Sequence, residues 1–183
     1  MTTATPATPT PSASAPALRK LYFVRFGFAV VWAALVFAFA GSLGPVAGIL
    51  LVIYPAFDLA AAAFDARSSR PAGSTRLLYV NMALSLLAAI GLGIAATSGA
   101  PAVLTVWGAW ALTAGAVQLA VGISRRALGG QWVMIISGGL SVVVGALFIA
   151  MAGGASASLT SLGGYATLGG IFFLISALRL RRR

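Results

Sequence analysis

Cysteine and histidine are both absent from this chain, and its only acidic side chains are two aspartates, Asp58 and Asp65. The chain therefore has no thiol nucleophile, no disulfide, no imidazole acid–base catalyst and none of the common zinc or haem ligand sets. Two carboxylates alone cannot build a dinuclear carboxylate metal site. We therefore expect a protein that is not an enzyme, with no catalytic residue, no bound metal and no cofactor.

Charge of either sign is scarce. Only 8% of the 183 residues are charged, 60% are hydrophobic and the mean hydropathy is +1.02, whereas a soluble domain carries roughly a quarter charged residues. Too few polar residues are present to cover a surface that faces water, so we expect the surface to face lipid.

The sequence contains six apolar runs long enough to span a membrane. Each run is close to the roughly 20 residues with which an α-helix crosses about 30 Å of hydrocarbon, and none alternates like a barrel strand. The fold class predicted is all-α, a polytopic membrane bundle of six transmembrane helices. The runs are approximately Tyr22–Ala40, Val46–Phe64, Leu77–Ala96, Ala102–Ile123, Trp132–Met151 and Leu159–Leu178.

The cations follow the connections between these runs. All of them except Arg25, which lies inside run one, precede run one, lie between runs two and three or between runs four and five, or follow run six, whereas the connections at 41–45, 97–101 and 152–158 carry no charge. The positive-inside rule makes the basic face cytoplasmic and places both termini on the cytoplasmic side of a bacterial plasma membrane. The net charge of +10 then indicates anionic lipid headgroups, and not nucleic acid, as neighbours at the cytoplasmic face.

The chain divides into a tail and a membrane domain. Residues 1–18 are mostly Ala, Thr, Pro and Ser, a composition typical of an extended, solvated segment, and are predicted to be a disordered cytoplasmic tail. Residues 19–183 are predicted to form the six-helix domain. A step of about 56 residues relates Pro45 to Pro101 and Tyr54 to Trp110, which predicts three repeated hairpins at about 19–74, 75–130 and 131–183.

Small residues align at the same step on the odd-numbered helices. Two small residues four positions apart share one helix face and allow backbones to approach closely in lipid. We therefore predict that these residues, with two glycines of the sixth run, form helix-packing seams. They are Ala29 and Ala33, Ser85 and Ala89, Ser141 and Gly145, and Gly169 and Gly170.

The third hairpin carries a family likeness. Its fifth run reads small-Leu-Ser-apolar-apolar-apolar-Gly across Gly138–Gly145, and its sixth run places Tyr165 about a turn before Gly169 and Gly170 and closes on Arg179. In these positions the chain resembles the HdeD-type acid-resistance membrane proteins, which are built from short repeated transmembrane hairpins. The resemblance implies an inner-membrane protein linked to acid stress, without an established transport or catalytic step.

The two aspartates are the chemically unusual residues. Asp58 follows Pro45 by 13 residues, so it lies about 20 Å from the outer end of its helix, level with Arg25 in run one. An ionisable residue inside a membrane indicates a functional site unless it is paired. Asp58 is either the ion-pair partner of Arg25, a proton- or cation-binding site, or a protonated or hydrated carboxyl. Asp65 lies on the same face and can meet either Arg25 or the loop arginines.

Three other polar residues are predicted inside the bundle: Asn81, Gln118 and Ser137. They either form hydrogen bonds between helices or line a polar vestibule open to the cytoplasm.

Three functions remain open from the sequence. The first is a non-enzymatic HdeD-type membrane protein in acid or envelope stress tolerance. The second is a small proton- or cation-coupled transporter or channel that uses Asp58. The third is a partner subunit, in which the small-residue faces pack on further copies of the chain or on a larger membrane complex.

Overall fold

The computed structural model describes residues 14–68, 75–128, 130–154 and 158–180. These residues form six long α-helices and a short 3-10 turn at Arg126–Leu128, and they contain no strand. The helices are α1 (Ser14–Phe39), α2 (Pro45–Ser68), α3 (Thr75–Ala95), α4 (Ala100–Ser124), α5 (Trp132–Ala152) and α6 (Thr160–Arg179).

All six helices are long and apolar enough to span a membrane. The predicted class, an all-α multi-pass membrane bundle, is confirmed. The predicted tail boundary is not, because α1 begins at Ser14 and takes up the last residues of the segment 1–18. Residues 1–13 of the predicted tail lie outside the described residues.

The helices form a closed ring in chain order. Each helix packs antiparallel against the next, and α6 returns to pack along α1. The closest packing is between α4 and α5, α1 and α6, and α2 and α3. None of these pairs lies within one predicted hairpin, and the three-hairpin repeat stays a prediction.

Glycines allow the close approach of α4 and α5. Gly108 faces Gly145, and a Cβ added to Gly108 would lie 2.6 Å from the Gly145 carbonyl oxygen. About two turns further along α4, a Cβ on Gly115 would lie 2.7 Å from the Ser141 Cβ and 2.9 Å from the Gly138 carbonyl oxygen. Backbones at this separation exclude any larger residue, so Ser141 and Gly145 lie in a packing seam as the sequence predicts.

A second seam joins α1 and α6. Ala29 and Ala33 are buried, and a Cβ on Gly170 would lie 3.1 Å from the Ala29 Cβ. Gly169 does not belong to this seam, because a Cβ added there meets nothing within 4 Å. Its predicted packing role is wrong for a geometric reason: consecutive helix positions point about 100° apart, so only one of the two adjacent glycines can face α1.

The two ends of the bundle differ in charge, and its outer surface is apolar. Helices α1, α3 and α5 begin, and α2, α4 and α6 end, at the end that carries the loop arginines. The side of the ring exposes large aliphatic residues, among them Val31, Leu87 and Ile94, each more than 60% exposed. Such a surface is stable against lipid tails and not against water.

Candidate functional site

Asp58 of α2 is the centre of a hydrogen-bond network inside the ring. Its Oδ1 accepts from Arg25 Nη2 of α1. Its Oδ2 accepts from Asn81 Nδ2 at 2.6 Å and from Ser85 Oγ at 2.7 Å. Asn81 and Ser85 are four residues apart on α3 and so present both donors on one helix face. Asp58 is only 6% exposed, and protein groups supply both a countercharge and hydrogen bonds to its carboxylate.

The network extends beyond these three helices. Ser85 accepts a hydrogen bond from Trp110 Nε1 of α4 at 3.2 Å. The Arg25 guanidinium lies over the ring of Phe173 in α6, 4.3 Å from its centroid, a cation–π contact that strengthens when water is excluded. Five of the six helices are thereby tied to the single carboxylate of Asp58.

Asp65 forms a separate ion pair nearer the basic end. Its Oδ2 accepts from Arg125 Nη1 at 2.7 Å, and both side chains are at least 90% buried. Arg125 directly follows α4. Of the two partners left open by the sequence, Asp65 therefore takes a loop arginine and Asp58 takes Arg25.

A cavity of about 110 Å³ lies between the six helices. It runs from Arg125 and Gln131 at the basic end to Tyr54, Trp110 and Tyr165 near the middle of the bundle. Both ion pairs line it, as do the three polar residues predicted inside the bundle. The arrangement corresponds to the polar vestibule considered from the sequence.

The three predicted polar residues also have individual roles. Asn81 bonds Asp58, and Gln118 Nε2 of α4 donates to the Met134 carbonyl oxygen of α5 at 3.3 Å. Ser137 is buried in the cavity wall. The hydrogen-bonding and vestibule interpretations are thus compatible, because the same side chains bridge helices and line the cavity.

The opposite half of the bundle is packed with aromatic and aliphatic side chains. Trp32, Tyr54, Trp107 and Trp110 pack with ring centroids 4.6–5.9 Å apart. Trp32 and Trp107 are almost fully buried and join a core made mainly of leucine, valine and alanine side chains, to which α5 contributes Phe148. The cavity therefore ends at a layer of aromatic rings and does not continue to the uncharged end.

Ser85 is the residue whose role the sequence missed. Its alignment with Ala29 and Ser141 predicted a packing position, and it is fully buried, but its hydroxyl bonds Asp58 and Trp110. Ser141 combines both roles, since it lies in the α4/α5 seam and accepts from the Tyr165 hydroxyl at 3.0 Å. Ala89 is only partly buried. The signal for Ser85 was its position one turn after Asn81 at the depth of Asp58.

The described residues hold no cluster of three or more His, Cys, Asp or Glu side chains that could bind a metal ion. Comparison with protein-family models, with curated proteins and with solved structures finds no match to this chain.

Removal of the Ser85 hydroxyl is expected to destabilise the bundle. Ser85→Ala leaves Trp110 Nε1 without an acceptor and takes one donor from Asp58, and an unsatisfied buried group costs about 1–3 kcal/mol. The free energy of unfolding in mild detergent with added dodecyl sulfate measures the effect. Ser124→Ala is the matched control, because the Ser124 hydroxyl is exposed and bonds only its own helix; equal losses in both variants would contradict the network.

Proposed function

We propose that this chain is a non-enzymatic inner-membrane protein of the HdeD type that acts in acid or envelope stress tolerance. What supports the proposal, besides the glycine pattern of the third hairpin, is the state of the acidic groups. Both carboxylates of the chain are held in ion pairs, Asp58 with Arg25 of α1 and Asp65 with Arg125, which follows α4, so neither is presented as a free nucleophile or base. In this proposal the charged groups stabilise the bundle and shape its interior.

The physiological part of the proposal is tested by deleting the gene. We expect lower survival of the deletion strain under acid or envelope stress, with recovery when the wild-type chain is supplied from a plasmid. A plasmid that carries a folding-defective variant, such as the Gly145 substitution described below, is the matched control and should not restore survival. Unchanged survival under acid, osmotic and envelope stress would remove the proposal.

The proposed orientation places the basic end and both termini in the cytoplasm. Reporters inserted after Ser42, Ser98 or Ser156 should then register as external, and a reporter fused after Arg183 should register as internal. Alkaline phosphatase and green fluorescent protein fusions measure this directly. An internal signal at any of the first three positions contradicts the orientation.

A proton- or cation-coupled transporter or channel that uses Asp58 is the second candidate. One observation favours it: Asp58 lines an internal cavity that reaches the basic end of the bundle. Two weigh against it. The carboxylate already accepts from Arg25, Asn81 and Ser85, and the aromatic layer closes the path toward the other end.

Flux through proteoliposomes separates the two candidates. A transporter that uses the Asp58 charge predicts ion or proton flux that Asp58→Asn abolishes while the protein remains folded. The leading proposal predicts no flux above protein-free vesicles for either form. Flux that survives Asp58→Asn would remove Asp58 from the transport site.

No observation in the described residues favours a separate role as an assembly partner. Of the small residues that suggested a homo-oligomer or a complex, Ser141, Gly145, Ala29 and Gly170 pack within the chain in the α4/α5 and α1/α6 seams, whereas Ala89 and Gly169 lie outside these seams.

A further inference from the structure

We propose that the cavity between the six helices is a binding site for a small, uncharged solute with an amide-like set of hydrogen-bond donors and acceptors. The inference is independent of the stress role proposed above. It follows from the size of the cavity, the balance of its charges and the polar groups in its wall.

Size sets the first constraint. The cavity measures about 110 Å³, somewhat less than the roughly 150 Å³ in which a buried site binds one benzene ring. It therefore accommodates a molecule of about four to six non-hydrogen atoms, or a few waters. Lipid tails, peptides and nucleotides are far too large.

The charges of the wall set the second constraint. Its formal charges are two guanidinium groups, Arg25 and Arg125, and two carboxylates, Asp58 and Asp65, and they are joined in two ion pairs. An ionised ligand would enter a weakly polar environment without a countercharge, which is costly inside a membrane protein. A neutral molecule avoids this cost.

Polar groups set the third constraint. The Nε–H of Arg25 is buried and has no acceptor among the described residues, and an unmatched buried donor is stabilised by a ligand carbonyl or hydroxyl oxygen. Ser137, Tyr165 and Gln118 line the same space. The Ser137 hydroxyl can donate or accept, whereas the Tyr165 hydroxyl, which donates to Ser141, and the Gln118 amide, which donates to Met134, still have oxygens that can accept. A ligand with one carbonyl oxygen and one NH₂ group complements such a wall.

The aromatic layer explains why the site ends inside the bundle. Trp110 and Tyr54 form both the inner wall of the cavity and part of the apolar core beyond it. A solute that enters from the basic end is therefore retained at the depth of Asp58. The site has the geometry of a blind pocket and not of a pore.

Gly169 provides the variant that tests occupancy. It lines the cavity, and a Cβ added there meets nothing within 4 Å, so a larger side chain at this position starts in open space beside the cavity and is expected to reduce its volume. Gly164 lies five residues earlier on α6, is exposed, does not line the cavity and also has open space at its Cβ. Gly164→Leu is the matched control for the same change in chemistry.

The experiment measures binding of radiolabelled acetamide to the purified protein in lipid nanodiscs. Acetate and acetamidinium, which have nearly the same shape but carry a charge, serve as competitors. Concentrations extend to about 10 mM, since so small a ligand binds at best with a Kd on the order of tens of micromolar.

The site is supported if the wild type and Gly164→Leu bind acetamide saturably. Gly169→Ala should bind it at least several-fold more weakly, and Gly169→Leu should not bind it. Competition by unlabelled acetamide, with little competition by either charged analogue, would support its selectivity for neutral ligands. Three results would overturn the proposal: no saturable binding to the wild type, which leaves a cavity for water only; unchanged affinity in either Gly169 variant; or equal competition by acetate.

Discussion

Gly145→Ala is expected to cause one of the largest losses of folded protein that a single methyl group can produce in this chain. The added Cβ would lie 2.6 Å from the Gly108 carbonyl oxygen and closer still to the Leu112 amide nitrogen. Both are backbone atoms of α4, so no side-chain rotation relieves the contact, and the two helices must separate. Overpacking of a well-packed interior costs about 1–3 kcal/mol and more where the backbone must move, so we expect a loss of about 3 kcal/mol.

Gly139→Ala is the matched control for this prediction. Gly139 lies on the same helix, six residues earlier, and a Cβ added there meets nothing within 4 Å. Because alanine is favoured over glycine in a helix by about 1 kcal/mol, this variant should be as stable as the wild type or more so. Unfolding in mixed detergent micelles compares the two. A smaller loss for Gly145→Ala than for Gly139→Ala would mean that α4 and α5 do not pack through their glycines.

The α4/α5 contact also illustrates how far the sequence predicts the fold. The bilayer requires each span to satisfy its own backbone hydrogen bonds, so length and apolarity alone predict six helices. The small-residue pair Ser141 and Gly145 on α5 was predictable as a close contact, since small residues one turn apart have few other uses in lipid. The identity of the partner helix was not, because a seam on one helix says nothing about which neighbour fills it.

The closure of the ring by α6 and α1 could not be predicted from the sequence either. Short connections constrain successive helices to be neighbours, but the contact between Gly170 and Ala29 joins the two ends of the domain and depends on the summed packing of all six helices. A sequence pattern that repeats three times is compatible with a ring or with an open row of hairpins.

In the candidate site, the sequence predicts the depth of Arg25 and Asp58 in the membrane better than it predicts which polar groups pair. A fixed rise per residue placed Arg25 level with Asp58, and the structure pairs them. The same arithmetic could not choose a partner for Asp65, since both Arg25 and the loop arginines were within reach. Nor could it tell that Ser85 acts as a hydrogen-bond donor, because serine is both a small packing residue and a polar one, and only its neighbours decide which property is used.

Arg25 and Asp58 are expected to be strongly coupled in stability. Arg25→Leu leaves the Asp58 carboxylate with only the neutral donors Asn81 and Ser85, and removal of one partner from a buried pair costs about 3–5 kcal/mol. The Arg25 side chain keeps 18% of its exposure, which places the expected loss near the lower end of that range. Asp58→Asn should lower the free energy of unfolding by a similar amount, because it leaves the Arg25 guanidinium without a countercharge. The new amide oxygen can still accept from Ser85.

The double variant Arg25→Leu with Asp58→Asn should therefore recover a large part of either single loss. No uncompensated charge remains in it, and the new asparagine retains an acceptor for the α3 donors, which a leucine at position 58 would not. Free energies of unfolding for the four proteins give the coupling energy, which should exceed the roughly 0.3–0.5 kcal/mol within which independent sites are additive.

A second cycle, with Arg67→Leu in place of Arg25→Leu, provides the control. Arg67 lies on the same helix as Asp58, also carries a positive charge and is exposed, so its loss should add to that of Asp58→Asn without coupling. If the Arg25 cycle is as additive as the Arg67 cycle, the guanidinium and the carboxylate do not meet in the membrane. If only the Arg25 cycle shows rescue, the ion pair is a structural element that links α1 to α2, and its loss acts on the same five helices that the Asp58 network joins.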